Sequence, residues 1–162
     1  MRELFVAARE HVLIAGYAVH GGRDLFALLA ERHDREPALR VDLILDIRRE
    51  HGSTTLESDL IAHFAHEFKT RQWPGKRLPA IYHDPRSLAL DPRERSAMHA
   101  KCIVIDRSMA LVTSANFTHA AQEKNVEVGV LVREPEVAAS VAERFEWLID
   151  RGCLHRLSVG ES

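Results

Sequence analysis

The sequence predicts an α/β fold in which a mixed β-sheet is flanked by helices on both faces. Short continuous apolar runs alternate with segments of helical periodicity over residues 1–80, an alternation typical of strands connected by helices. The centre of the chain is richer in strand-like segments. The length of 162 residues suits one domain that buries about 70% of its unfolded surface. We therefore expect a single domain over residues 1–162.

The N-terminal part contains two strands and two helices in alternation. Residues 1–10 have the apolar pattern of the end of a helix, and this abrupt start leaves open that N-terminal sequence is missing. Val12–Tyr17 is a continuous apolar run that suits a buried strand, and residues 41–45 repeat it. Gly21 and Gly22 separate the first strand from a helix. Apolar residues at helical spacing are Leu25, Leu28 and Leu29 in the first helix and Leu56, Leu60, Ile61, Phe64 and Phe68 in the second.

The segment before the strand-rich centre begins with a helix-start signal. Thr54 and Glu57 have the spacing of a capping box, in which two side chains satisfy free backbone N–H groups at a helix N-terminus. Residues 79–83 form a third strand-like run. Residues 84–96 contain two prolines and no apolar periodicity, so we expect a loop there.

The C-terminal part is predicted to contain three strands and a final helix. Residues 98–105 and 109–113 are apolar runs separated by Asp106-Arg107-Ser108, which suits a hairpin turn. A further strand is expected over residues 125–132. The last helix starts with Pro135 in its first turn and stops at Gly152. The strand over 125–132 places four valines on one face, Val126, Val128, Val130 and Val132.

Composition and charge restrict the class of protein. The net charge of −2 argues against nucleic-acid binding over the whole surface, so affinity for a polyanion requires a local basic groove. No stretch approaches the ~18 apolar residues of a membrane span, and the N-terminus lacks a secretory pattern. The two cysteines, Cys102 and Cys153, make no disulfide framework. We therefore expect a cytoplasmic protein without membrane partners.

One short stretch concentrates the chemically useful side chains. His99 and Lys101 are followed by Asp106, and then by Ser114 and Asn116, in the pattern HxK(x)4D(x)7SxN. Side chains two positions apart on a strand project from the same face. His99 therefore projects with Lys101, and Ser114 with Asn116, so these four groups can converge on one phosphate.

These residue types suit the cleavage of a phosphodiester. A phosphodiester is negatively charged and repels anionic nucleophiles, so the neutral imidazole of His99 is a suitable attacking group. Lys101, Ser114 and Asn116 can stabilise charge on the non-bridging oxygens, and no metal is then required. The leaving alkoxide needs a proton, for which a second imidazolium is the natural donor. The motif occurs only once in the chain.

The motif resembles the signature of the phospholipase D superfamily. The resemblance implies a phospholipase D-like α/β/α sandwich and a metal-independent phosphodiesterase with no cofactor. It further implies two histidines and a phosphohistidine intermediate. In this resemblance His99 is the nucleophile, or the acid in the partner half, and Lys101, Ser114 and Asn116 bind the substrate phosphate.

Two carboxylates complete the predicted site. Asp106 matches the aspartate of the family's His-Lys-Asp (HKD) motif. Its expected role is mainly structural or charge-balancing. Glu127, eleven residues after Asn116, matches a glutamate that orients the histidine through its other ring nitrogen. Thr113 departs from the pattern, since many members have glycine there. That change removes no functional group.

A narrower resemblance concerns single-motif bacterial members, including small dimeric nucleases. The segments that show this resemblance are Ile14–Tyr17 and residues 112–118 and 125–129. Residues 79–150 resemble the phospholipase D-like component of the DISARM phage-defence system. These resemblances imply a nuclease that acts on DNA or RNA, a homodimer that shares one active site, and an association with defence-system proteins.

Several of these residues also have simpler interpretations. His99 and Lys101 can form a structural pair at a sheet edge, although the other motif residues argue against it. Glu127 can be an exposed strand residue, and Asp106 can simply favour the turn. Cys102 has the strand parity opposite to His99, which favours a core position. His63, by contrast, pairs with His66 at zinc-binding spacing without further ligands nearby, which favours a solvated helix face.

The basic residues near Trp73 and before the motif have two interpretations, a local basic groove that binds nucleic acid or an ordinary charged loop. Trp73 offers an aromatic platform on which a nucleobase can stack, and arginines and a lysine surround it in sequence. Charged loops are equally common, so both interpretations stay open. The basic residues concerned are Arg71, Lys76 and Arg77 around Trp73, together with Arg93 and Arg95 just before the motif.

Three functions are compatible with the sequence. The first is a homodimeric nuclease, and the second is a hydrolase of a phospholipid or another phosphodiester. The third is a subunit that binds nucleic acid without catalysis inside a defence complex. The single motif and the lack of an amphipathic membrane helix favour the first.

Overall fold

A computed structural model describes residues 1–17, 19–118 and 125–158, and there the chain follows the predicted alternation of strands and helices. The helices are α1 (Arg2–Ala7), α2 (Gly22–Arg35), α3 (Glu57–Glu67), which continues into a π-helical turn (Phe68–Gln72), and α4 (Pro135–Asp150). The strands are β1 (His11–Gly16), β2 (Val19–His20), β3 (Arg40–Leu45), β4 (Ala80–His83), β5 (Cys102–Ile105), β6 (Met109–Thr113), β7 (Phe117–Thr118), β8 (Gly129–Val132) and β9 (His155–Arg156).

The strands form one large mixed sheet and one small ribbon. The large sheet has the order β8-β6-β5-β1-β3-β4-β9. Strands β1, β3 and β4 are parallel, whereas β5, β6, β8 and β9 each pair antiparallel with a neighbour. Strands β2 and β7 form the separate parallel ribbon. The sheet therefore mixes parallel pairing near its centre with an antiparallel side that carries the motif.

Each face of the large sheet has its own apolar core. Phe5 of α1 and Phe26 of α2 belong to the core on one face, together with Ile14 of β1. Phe145 of α4 belongs to the core on the other face, together with Leu13. Because neighbouring strand residues point to opposite faces, one apolar strand supplies both cores. The prediction of an α/β fold with helices on both faces is confirmed.

The predicted capping box does not form. Helix α3 begins at Glu57 with Leu56 at the N-cap, and no side chain caps it. The residues before the helix form a turn around Arg49, whose guanidinium donates to the Ser53 and Thr55 carbonyl groups. The turn around Arg49 therefore displaces Thr54 from the position that a capping residue needs.

Two predicted strands are shorter than expected. The strand predicted from residue 98 begins only at Cys102, because the Met98 amide donates to Asp46 instead of to a neighbouring strand. The strand predicted over residues 125–132 begins at Gly129. Val126, Val128 and Val130 are exposed, with Val126 98% exposed, whereas Val132 is half-buried; β8 is an edge strand of the large sheet.

The predicted loop over residues 84–96 contains two short 3-10 turns, Pro85–Leu88 and Pro92–Glu94. Asp84 and Asp91 cap these turns by accepting backbone N–H groups. Cys102 is buried in the core under α4, as predicted. Burial raises the pKa of its thiol to about 11. In the described stretches, no helix has the length and apolar character needed to cross a membrane.

Candidate active site

His99 and Lys101 lie at the end of the sheet where the parallel strands β1 and β3 finish. Strands β1 and β3 run in register, so Tyr17 and Asp46 follow their last residues at the same edge. Strand β5 is antiparallel to β1 and begins opposite Ala15. The segment just before β5, which contains His99 and Lys101, therefore reaches the same edge.

His99 is exposed and is held beside Tyr17. The two rings make an edge-to-face contact with centroids 4.7 Å apart and an interplanar angle of 65°. Lys101 lies on the same side, with its Nζ 5.5 Å from the Tyr17 ring centroid and 3.2 Å from the His99 carbonyl oxygen, to which it donates. The structure thus brings the predicted nucleophile and the predicted cation together around Tyr17.

Asp46 fixes the backbone that leads into His99. Its Oδ1 accepts the Met98 N–H at 2.9 Å, and its Oδ2 accepts the Arg48 Nε–H at 2.7 Å. Burial raises the pKa of Asp46, while the Met98 N–H and the charge of His99 act in the opposite direction. Sequence analysis missed Asp46 and Arg48. Their position in the sequence could have identified them, because they come just after a buried parallel strand. The carboxyl ends of such strands are where sites form in open α/β sheets.

Ser114 and Glu127 form a second group at this end of the sheet. The Ser114 hydroxyl donates to Glu127 Oε2 at 2.5 Å and accepts the Val128 N–H at 3.0 Å. The Asn125 amide donates to Glu127 Oε1 at 3.3 Å. Across the described stretches, no hydrogen bond joins Glu127 to His99, so its predicted role in orienting the histidine stays a prediction. In this structure Glu127 positions the Ser114 hydroxyl.

One backbone hydrogen bond and one side-chain contact bring the segment of Ser114 and Asn116 beside His99 and Lys101. The Thr113 N–H donates to the Lys101 carbonyl oxygen at 3.0 Å. Ser114, the next residue in the chain, therefore lies close to Lys101. Strand β7 crosses the end of β1, where a Cβ at Gly16 would lie 2.3 Å from the Phe117 ring. Asn116 Oδ1 is buried and has no hydrogen-bond partner within the described ranges. Its side chain therefore keeps unused hydrogen-bonding capacity.

Asp106 lies at the opposite end of β5 from His99. Its carboxylate accepts three backbone N–H groups, those of Arg9, Glu10 and His11, at 2.7–2.8 Å. It also has a positive φ of 49° and starts the predicted hairpin turn, where Arg107 has a φ of 51°. Its contacts connect the β5–β6 turn to the start of β1, and they give it a structural role.

The aromatic platform at Trp73, one of the two interpretations left open by the sequence, does not form. Trp73 is only 1% exposed, and its Nε1–H donates to the Arg77 carbonyl oxygen. Arg77 in turn donates to the Leu39 carbonyl oxygen at 2.6 Å. Arg93 pairs with Asp91. Sequence analysis counted the charge and the indole correctly, but it could not predict that the surrounding helices bury the ring.

A metal centre finds no support in the described part of the chain. Over residues 1–17, 19–118 and 125–158, no three histidine, cysteine or acidic side chains cluster closely enough to hold an ion. His63 and His66 are both exposed on α3. Their spacing therefore belongs to a solvated helix face.

Comparisons with known proteins agree with this fold. A sequence model of the family described as cardiolipin synthase, PLD-like domain, matches residues 1–149. The phospholipase D family member Nuc from Salmonella typhimurium is 20% identical with a TM-score of 0.60, covering 96% of this chain and 86% of its own. NucT from Helicobacter pylori is 19% identical with a TM-score of 0.61, covering 92% and 84%.

A larger protein shares the fold over part of its length. The phosphatidylserine synthase of Haemophilus influenzae Rd KW20 is 17% identical with a TM-score of 0.58, and the match covers 96% of this chain but 36% of that one. No curated protein sequence matches the chain. At these identities the solved structures establish the shared fold.

Proposed function

Because the chain belongs to the phospholipase D-like family described as cardiolipin synthase, PLD-like domain, we propose that it is a metal-independent phosphodiesterase that cleaves DNA or RNA. The observation that carries the proposal is the exposed His99 ring, held by Tyr17 and flanked by Lys101 at an open edge of the sheet. A neutral imidazole beside a cation matches the demands of attack on an anionic phosphodiester.

The proposed reaction has two steps. A ring nitrogen of His99 attacks phosphorus, and the bond to the leaving oxygen breaks as that oxygen takes a proton from a second imidazolium. Water then attacks the phosphohistidine and gives its proton to the second imidazole, which releases His99 and the phosphate monoester. Lys101, Ser114 and Asn116 bind the non-bridging oxygens in both steps.

We propose that the second imidazole is the partner's His99 in a two-fold homodimer. The motif occurs once in the sequence, and a closed two-fold dimer is the commonest symmetric assembly. The edge strand beside Ser114 exposes Val128 and Val130, and Val112 of β6 is also half exposed. An unpaired apolar edge of this kind favours association, so it is the surface at which we expect the second copy.

We further propose, on the sequence resemblance alone, that the nuclease acts in phage defence with other proteins of a defence system. The non-catalytic alternative makes an opposite prediction in cells. Loss of phage protection in a His99→Ala strain favours the nuclease, whereas full protection in that strain favours a subunit that only binds nucleic acid.

Hydrolysis in the presence of excess chelator tests the proposed function. We expect cleavage of single-stranded DNA or RNA to continue at an undiminished rate in EDTA, because imidazole and ammonium groups replace the usual roles of a metal. Acid quenching during turnover should trap an acid-labile phosphate on His99. A strict requirement for added Mg²⁺ would contradict the mechanism. Release of a lipid head group, without cleavage of either nucleic acid, would instead identify a phospholipid hydrolase.

A further inference from the structure

Arg48 lies beside the motif although it is distant in sequence. Its guanidinium carbon lies 3.7 Å from the Tyr17 ring centroid, and the His99 ring centroid lies 4.7 Å from the same point. The two contacts share one centroid, so the guanidinium carbon lies no farther than 8.4 Å, the sum of these distances, from the centre of the His99 ring.

The Arg48 guanidinium is held in place but keeps free donors. Its Nε donates to Asp46 at 2.7 Å, whereas its two Nη groups have no hydrogen-bond partner in the ranges that the structure describes. The side chain is 53% exposed. A planar guanidinium whose two Nη groups are free is suited to bind a phosphate in bidentate fashion through them. The Asp46 contact and the Tyr17 stack fix its plane in advance, which lowers the entropy cost of binding.

A groove of mixed polar and apolar lining borders Arg48. This depression of about 330 Å³ is lined by Arg48 with Ser53, Thr55 and His63, and also by Glu50. A smaller cavity of about 170 Å³ beside Tyr17 and Asp46 shares the wall residues Phe64 and Glu67 with it. Glu67 is partly neutralised by Arg71 at 3.3 Å. The groove therefore offers a path for a chain longer than one phosphodiester.

We propose that Arg48 binds a second phosphate of a polynucleotide strand, next to the phosphate that is cleaved at His99. A nucleic-acid strand carries one phosphate per roughly 3.4 Å of helix axis, so a strand at His99 brings neighbouring phosphates within reach of Arg48. A phospholipid with a single phosphodiester offers no such second anion. This inference rests on the proposed function, and it specifies an extended polynucleotide as the substrate class.

Binding of a fluorescent single-stranded oligonucleotide to full-length His99→Ala protein tests this inference independently of turnover. Adding Arg48→Gln removes the charge but keeps a hydrogen-bond donor for Asp46. We expect Kd to rise about 5- to 20-fold and the slope of log Kd against log salt to fall by about 0.7, the loss of one phosphate contact on a single strand. Arg48→Lys should recover most of the slope, because it keeps the charge.

Arg35→Gln is the matched control. Arg35 is an exposed, ion-paired arginine at the end of α2, and β3 starts shortly after it at the sheet end away from Asp46. We expect its Kd and salt slope to stay within about 2-fold of the parent, the usual size of a distant surface change. Unchanged binding in Arg48→Gln, or an equal change in Arg35→Gln, would overturn the inference.

A substrate with one phosphodiester separates binding from an effect on His99. With His99 intact, Arg48→Gln should lower cleavage of the oligonucleotide by a clearly larger factor than hydrolysis of bis(p-nitrophenyl) phosphate, which has no second phosphate for Arg48 to bind. Equal losses on both substrates would show that Arg48 acts through Tyr17 on His99 and would overturn the second-phosphate site. If the wild type cleaves neither substrate, the proposed function fails, whereas the binding measurement still decides the role of Arg48.

Discussion

His99→Ala lowers the turnover of single-stranded DNA by about 10⁴-fold or more, the size of loss that follows removal of a catalytic nucleophile or its base. The imidazole is the attacking group in the proposed first step, and Lys101 cannot replace it because an ammonium group carries no free electron pair. The measurement is single-turnover cleavage of a labelled oligonucleotide in excess enzyme and chelator. Affinity for the oligonucleotide should fall by a much smaller factor than turnover, because Lys101, Ser114 and Asn116 still bind the phosphate.

His66→Ala is the control for this variant. His66 is an exposed histidine on α3, so its loss removes an imidazole without touching the motif. We expect its turnover to match the wild type within about 2-fold, as for other surface substitutions. Wild-type turnover in His99→Ala would refute the assignment of the nucleophile.

Asp106→Ala destabilises the fold by about 2–4 kcal/mol and leaves the chemistry of the folded protein nearly unchanged. The substitution leaves the three N–H groups of Arg9, Glu10 and His11 without their acceptor, and lost hydrogen bonds to a charged group have large effects. The substitution also places alanine at a positive φ, which costs additional strain. Thermal unfolding should show a Tm lower by about 5–15 °C.

Two further variants define the role of Asp106. Asp106→Asn keeps an acceptor oxygen and a side chain that tolerates the left-handed conformation, so its loss of stability should be smaller. Asp91→Ala removes a carboxylate that caps a 3-10 turn by accepting a single backbone N–H group, and it should lower Tm by less than Asp106→Ala does. If Asp106→Ala keeps the wild-type Tm but loses turnover, Asp106 takes part in the reaction and its structural role is wrong.

Local patterns were sufficient to predict the longer strands and their alternation with helices, but not the two-residue strands β2, β7 and β9. The residues from Val12 to Gly16 are buried, and they alternate between the cores on the two faces of the sheet; continuous apolarity is the expected signal for such a strand. The motif could be found because His99 and Lys101 are close in sequence. The hairpin turn at Asp106 could also be predicted, because the residues that form it are adjacent in sequence.

The arrangement around Tyr17 could not be predicted from the sequence. Tyr17 and Asp46 meet only because β1 and β3 pair in parallel register, and pairing partners leave no signal in a single sequence. Glu127 has the residue type that suits an orienting carboxylate, but the edge position of its segment gives it Ser114 as a partner. Burial of Trp73 depends on helix packing, which a count of nearby charges cannot indicate.

Mixing of subunits tests the central claim, a phosphodiesterase site shared by two copies of the chain. A constant amount of wild-type protein is unfolded and refolded together with increasing amounts of His99→Ala protein. The rate of cleavage in excess chelator is then divided by the amount of wild-type subunit. If each site needs two His99 side chains, the activity per wild-type subunit falls towards zero as mixed dimers replace wild-type dimers, whereas added His66→Ala protein does not lower it. Constant activity per wild-type subunit at a large excess of His99→Ala protein would contradict the shared site.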